Sequence, residues 1–126
     1  MTNFSEIKVS RDGERCTISF DRTEALNAIT PTMLEELNAA ATAASEDDGI
    51  RFVVLTGEGR SFSAGVDLKA LGERELTNGK VGDILDLPAR RLTSTLSSMP
   101  KVTIARVNGF CFTGALELAI SCDLLV

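Results

Sequence analysis

The chain has 126 residues and not one of them is histidine. That absence removes any Ser-His-Asp or Cys-His nucleophile pair built within this chain. It also removes histidine-bound zinc and the two-histidine, one-carboxylate iron site. Acid-base chemistry has to come from carboxylates, lysines, thiols or the backbone. Cysteine is scarce too: Cys16, Cys111 and Cys122 are an odd number and show no CxxC spacing. A disulfide framework or a structural zinc site is not expected. The three thiols read as reduced, mostly buried packing groups of a cytoplasmic protein. The first ten residues, MTNFSEIKVS, contain no apolar signal core. No apolar run approaches the ~20 residues that span a bilayer. Positive charge is also in deficit, with 13 Lys plus Arg against 18 Asp plus Glu and a net charge of −5. Nucleic acid needs clustered cations and is not an expected partner. Several phosphate and nucleophile motifs are missing as well. Gly57-Glu58-Gly59 is followed by Arg-Ser-Phe, so there is no GxGxxG, and neither GxxxxGK[ST] nor GxSxG occurs.

What is present reads as an α/β pattern. Ile7 and Val9, then Cys16, Ile18 and Phe20, alternate with polar residues around Asp12-Gly13, the pattern of a β-hairpin. A loop is predicted from Asp21 to Ile29. Thr30-Pro31 is an N-cap followed by proline at the first helical position. Met33, Leu34, Leu37, Ala40, Ala41 and Ala44 follow at helical spacing, ending near Ser45 to Gly49. Phe52 to Thr56 is a short apolar run that predicts a strand buried on both faces. Residues 57–65 are a Gly- and Ser-rich loop, with a short helix predicted from Val66 to Leu71. Residues 72–82 are polar and predict a mobile loop. Residues 83–98 have helical character, with a kink or late start at Pro88. Val102 to Val107 predicts a strand, Asn108-Gly109 a turn, Gly114 to Cys122 a helix and Leu124 to Val126 another strand. No internal repeat is visible. A hairpin followed by βα units gives an α/β fold. The chain stops inside an apolar run, where a domain end is usually polar, so residues 1–126 are expected to be the N-terminal part of a single larger domain.

Two places concentrate glycine between a strand and a helix: residues 61–69 and 108–117. Such junctions present free backbone N–H groups that can hold an anion or a developing oxyanion. Two of them close together point to a two-donor oxyanion hole.

These loops also carry a resemblance. Ser61-Phe62-Ser63-Ala64-Gly65-Val66-Asp67-Leu68 resembles the F-x-A-G-x-D-[IL] loop of the crotonase (enoyl-CoA hydratase/isomerase) superfamily. Val102 to Gly109, Thr113 to Ala119 and Cys122-Asp123 resemble its second signature, A-V-N-G-x-x-x-G-G-G-x-E-L-A-x-x-C-D. Ala25-Leu26-Asn27-Ala28 matches its early A-L-N-A segment. The matches come in the right order and cover nearly the whole chain. The resemblance implies a spiral of ββα turns, assembled as trimers or as dimers of trimers (hexamers). It implies an acyl-CoA enzyme with no metal or redox cofactor, coenzyme A entering as part of the substrate. The backbone N–H groups of Val66 and Gly114 would bind the thioester oxygen. Glu117, three residues after Gly114, would be a catalytic glutamate. Ala25, Leu26, Ala28, Ser63, Ala64, Gly65, Asp67, Leu68 and Lys69 would lie against the acyl-CoA. The implied reaction is hydration of a 2-enoyl-CoA to a 3-hydroxyacyl-CoA. Isomerisation, thioester hydrolysis or decarboxylation, and acyl-CoA binding without chemistry, are the alternatives. Hydratases use a second glutamate, further along than this chain runs. The family's three glycines read Thr113-Gly114-Ala115 here, a loop less permissive of positive φ.

Simpler roles stand beside these. Glu117 is otherwise a helix-surface carboxylate, and Asp67 shapes its loop through free N–H groups. Lys69 and Arg60 are solvated charges or contacts to the phosphates of coenzyme A. Phe62 is a core residue, Asn108 a turn residue, and Cys111 and Cys122 are packing thiols.

Overall fold

The computed structural model describes residues 3–69 and 86–126. The hairpin is β1 (Ile7–Asp12) and β2 (Arg15–Phe20), paired antiparallel from Ile7 opposite Phe20 to Asp12 opposite Arg15. A 3₁₀ turn at Thr23–Ala25 leads to α1 (Pro31–Glu46). Then come β3 (Phe52–Gly57), β4 (Ser61–Ser63), α2 (Asp86–Ser98), β5 (Val102–Ala105), β6 (Phe110–Cys111), α3 (Gly114–Ile120) and β7 (Leu124–Leu125). The main sheet has the order β1-β2-β3-β5-β7, and every pair beyond the hairpin is parallel. β4 and β6 form a second, two-stranded parallel sheet. The chain therefore runs core strand, short strand, helix, and repeats: β3-β4-α2, then β5-β6-α3. The repetition is structural, with no matching repeat in the sequence.

The N-cap prediction for α1 holds. Thr30 Oγ1 accepts from the Met33 amide at 3.0 Å and donates to the Glu6 carboxylate at 2.8 Å. Such a cap contributes about 1 kcal/mol. Met33, Leu34, Leu37, Ala40, Ala41 and Ala44 are buried, as their spacing predicts. α2 is described from Asp86 onward, with Pro88 near that end. Asn38 Nδ2 donates to Leu34 O and Pro88 O, both at 3.0 Å, and so ties α1 to α2.

Several boundaries differ from the prediction. β3 is not buried on both faces: Val53 and Leu55 are buried, Phe52 is 40% exposed and Val54 is half-buried. Registered rows explain it. Cys16, Val53 and Thr103 form one buried row, and Ile18, Leu55 and Ala105 the next. The alternate residues project from the opposite face of the sheet. The glycine-rich stretches are not wholly loop, because β4 and β6 pair across them and satisfy backbone groups that would otherwise need water. β5 ends at Ala105, two residues early, where the Asn108 turn region begins. α3 ends at Ile120 rather than Cys122, because Ser121 closes it: its hydroxyl donates to Leu118 O at 2.6 Å. The short helix predicted from Val66 starts two residues later. Val66 sits in an isolated β-bridge with Ile29, and Leu68 and Lys69 have helical backbone. The loop predicted at 72–82 lies outside the described residues, as do 83–85.

Phe62 is fully buried and meets Phe20 edge-to-face at 5.0 Å between ring centres. Cys16 is buried, whereas Cys111 and Cys122 are only half-buried; all three are free thiols. Burial raises the Cys16 and Cys111 thiols, and pushes Cys122 up to about 11. No described helix is long and apolar enough to cross a membrane.

Candidate active site

β3 and β5 stay paired as far as Leu55 opposite Ala105, and both chains run on from there into the two glycine-rich loops. Asn108 does more than turn the chain there. Its Nδ2 donates to Gly57 O at 2.9 Å and Gly59 O at 3.0 Å, and its Oδ1 accepts from Gly57 N at 3.2 Å. The Thr56 hydroxyl donates to Arg106 O at 2.8 Å. A methyl added at Gly109 would run into the Arg60 carbonyl, so glycine lets the two loops approach closely.

The segment 25–28 is built into the first loop. Asn27 is fully buried with φ 58°, and its Nδ2 donates to Glu58 O at 2.9 Å and Ser61 O at 2.8 Å. Its Oδ1 accepts from Arg22 N at 2.8 Å. Ser63 is buried too; its hydroxyl donates to Asn27 O at 2.7 Å and accepts from Gly65 N at 3.1 Å. The amide of Ala64 donates to Leu26 O at 3.0 Å. Arg22 closes the cluster, bonding Ala28 O at 2.7 Å, Asp67 Oδ2 at 3.0 Å and Glu6 Oε1 at 3.1 Å. Asp67 is therefore tied to the 22–28 segment through Arg22.

The bridge between Ile29 and Val66 is one-sided. Ile29 N donates to Gly65 O at 2.7 Å, and Ile29 O accepts from Asp67 N at 2.8 Å. Both bonds belong to Ile29, so the Val66 N–H points elsewhere and has no acceptor among the described residues. The Gly114 N–H opens α3, ahead of its first intrahelical bond, and likewise has no acceptor among the described residues. The two residues are neighbours: a methyl added at Gly114 would lie 3.6 Å from Val66 Cγ2 and 3.9 Å from Ile29 Cδ1.

Val66, Gly114 and Glu117 line one cavity of about 290 Å³. Ile29, Leu34 and Leu118 supply apolar wall, and Ala89, Arg90 and Thr93 come from α2. The structure thus brings together the two amides and the carboxylate that the sequence singled out. Glu117 is exposed, on the first turn of α3. The other expected contacts do not line this cavity. Ala25, Leu26, Ala28, Ser63, Ala64, Gly65 and Asp67 are buried or half-buried, and Leu68, Lys69 and Arg60 are exposed.

Sequence reading missed the α2 contribution and the Arg22 and Asn27 scaffold. Ala89 and Thr93 are one helical turn apart, and that spacing was the available signal. It missed Asp123 as well, which bonds Thr103 twice, Oδ2 accepting from Thr103 N at 2.9 Å and its amide donating to Thr103 Oγ1 at 2.8 Å. Among the described residues no group of three Cys, Asp or Glu is placed to hold a metal ion.

The family model for enoyl-CoA hydratase/isomerase matches residues 12–126. The chain belongs to that family. It is 34% identical over 126 residues to the mitochondrial enoyl-CoA hydratase of Pongo abelii, covering 98% of this chain and 42% of that one. Among solved structures, an enoyl-CoA hydratase/isomerase from Xanthobacter autotrophicus Py2 superposes with a TM-score of 0.83 at 36% identity, covering 98% of this chain and 46% of that one. An enoyl-CoA hydratase from Bacillus anthracis gives 0.87 at 29% identity, covering 96% and 46%. The fold is thus the family's crotonase-like arrangement, in agreement with the expected architecture. The chain spans somewhat less than half the length of the relatives it matches.

Proposed function

We propose that this protein is an acyl-CoA enzyme that hydrates 2-enoyl-CoA to 3-hydroxyacyl-CoA. The observation that carries this reading is the pair of unbonded amides, Val66 and Gly114, sharing one cavity with Glu117. The two N–H groups hold the thioester carbonyl oxygen. Addition of water to the β-carbon pushes electrons onto that oxygen, and two preorganised donors stabilise the enolate-like state. Glu117 holds the water or moves a proton at the carbon next to the carbonyl. Ile29, Leu34 and Leu118 form the apolar part of the wall, against which an acyl chain packs. Coenzyme A enters as part of the substrate, and no metal or redox cofactor takes part. The relatives named as enoyl-CoA hydratases support this substrate class. The segments 25–28 and 63–69 lie beside the CoA portion, with Lys69 and Arg60 toward its phosphates. The working protein is a homotrimer or hexamer, and the three free thiols fit a reducing compartment such as the cytoplasm.

One observation favours a second reaction. Glu117 is the one carboxylate that lines the cavity among the described residues. A single base suffices to carry a proton between the α- and γ-carbons, which is isomerisation of 3-enoyl-CoA. One assay separates the two. Hydration of a 2-enoyl-CoA removes the absorbance of the conjugated thioester, and isomerisation of a 3-enoyl-CoA creates it. The hydratase reading predicts loss of absorbance with the full-length protein. Bound substrate with no hydration contradicts it.

A further inference from the structure

The residues immediately before the two unbonded amides touch each other. Gly65 precedes Val66 and has φ 95°; Thr113 precedes Gly114 and has φ 46°. A methyl added at Gly65 would run into the Thr113 hydroxyl and lie 3.0 Å from the Phe112 carbonyl oxygen. The Thr113 side chain thus occupies the space that glycine leaves open. This contact lies just past the end of the β4–β6 ladder. Ser61 pairs with Phe110, Ser63 pairs with Cys111, and the Phe112 amide donates to Ser63 O at 3.2 Å. Beyond that bond no backbone pairing fixes one loop against the other among the described residues.

Thr113 holds this place against its own preference. With φ 46° and ψ −112° it lies outside the regions open to β-branched residues. Its hydroxyl makes no capping bond to α3 that would offset the strain. Glycine would adopt the same backbone freely, but it would leave the space over Gly65 empty. We propose that Thr113 is a positioning residue: its side chain, packed on Gly65, fixes the spacing and direction of the Val66 and Gly114 N–H groups. The proposal deepens the functional reading above and rests on it.

Two variants of the full-length protein test it, Thr113→Gly and Thr113→Ser. Thr113→Gly removes both the strain and the contact, so its thermal midpoint rises while turnover falls. The expected loss in kcat is about 10-fold or more, with KM for the acyl-CoA changed little. The carbonyl stretch of bound acyl-CoA moves back toward its value in water. Thr113→Ser keeps the oxygen over Gly65 and retains kcat within about 2-fold, on the same positioning argument. Opposite signs on stability and turnover are what a merely structural residue does not produce. Thr113→Gly with wild-type kcat overturns the proposal, and so does a variant that loses stability and turnover together. A wild type without activity on enoyl-CoA overturns the functional reading and this proposal with it.

Discussion

Around α1 the protein is held by carbon. Met33, Leu34, Leu37 and Ala41 are at most 2% exposed and share one core with Ile18, Phe20 and Leu55. Around the loops beyond the sheet, polar groups are buried alongside Phe62. Asn27, Ser61 and Ser63 are at most 1% exposed, and their side chains bond backbone atoms of neighbouring loops. The first region needs volume and periodicity, because apolar burial has no preferred direction. The second needs particular atoms at particular angles, because each buried polar group must meet a partner. The Val66 and Gly114 amides have no acceptor among the described residues, and both residues line the cavity.

The largest expected effect separates function from stability within the loop region. Glu117→Gln lowers kcat on enoyl-CoA by about 10²- to 10⁴-fold, while the exposed position keeps the folding free energy within about 0.5 kcal/mol. Steady-state kinetics beside a denaturant titration check both halves; unchanged turnover would remove Glu117 from the mechanism. The reverse is expected around α1. Leu37→Ala costs about 2–5 kcal/mol of stability and leaves kcat per folded molecule unchanged. Between them lies Asn27→Ala, which orphans Glu58 O and Arg22 N and leaves Ser61 O with the longer bond from Asn108 Nδ2 alone. It costs about 1–3 kcal/mol and also lowers kcat, because the Val66 loop hangs on those bonds. If Asn27→Ala behaved like Leu37→Ala, the distinction between the two regions would fail.

The smallest effect lies at the boundary. Cys122 follows α3 and its thiol stands at about 11 rather than the ordinary 9.0, chiefly through burial, with the Thr103 hydrogen bond opposing and the Asp123 charge adding. A raised thiol favours the neutral form in the folded state. Its contribution is complete below the ordinary value and is lost as pH rises through about 9 toward 11. Alkylation of Cys122 in the folded protein should reach half its maximal rate near pH 11, and in the unfolded chain near 9. Coincident profiles would mean that the end of α3 is open to water.

The same division governs what could be read in advance. The hairpin, α1 and the order of strands and helices follow from apolar periodicity, and the Thr30-Pro31 start of α1 from capping chemistry. The strands β4 and β6 did not, since Ser-Phe-Ser and Phe-Cys carry no alternation that separates them from loop. Nor did the one-sided burial of β3, because Phe-Val-Val-Leu shows no polar residue to mark its open face. In the candidate site, Val66, Gly114 and Glu117 came from the resemblance of the two loops to the crotonase signatures. The roles of Arg22, Asn27 and Asp123 did not, because their partners are backbone and side-chain atoms from elsewhere in the chain, 20 to 45 residues away for most of their bonds. Thr113 was legible only in reverse: its bulk argued against positive φ, and the structure holds it there at 46°.

The central claim is that the Val66 and Gly114 amides polarise a thioester carbonyl. Vibrational difference spectroscopy of an acyl-CoA labelled with ¹³C at that carbonyl, bound to the full-length wild-type protein, measures it directly. The account predicts a carbonyl stretch at lower frequency than in water, because two preorganised donors exceed what mobile solvent offers. A bound carbonyl whose frequency equals or exceeds the value in water would contradict it.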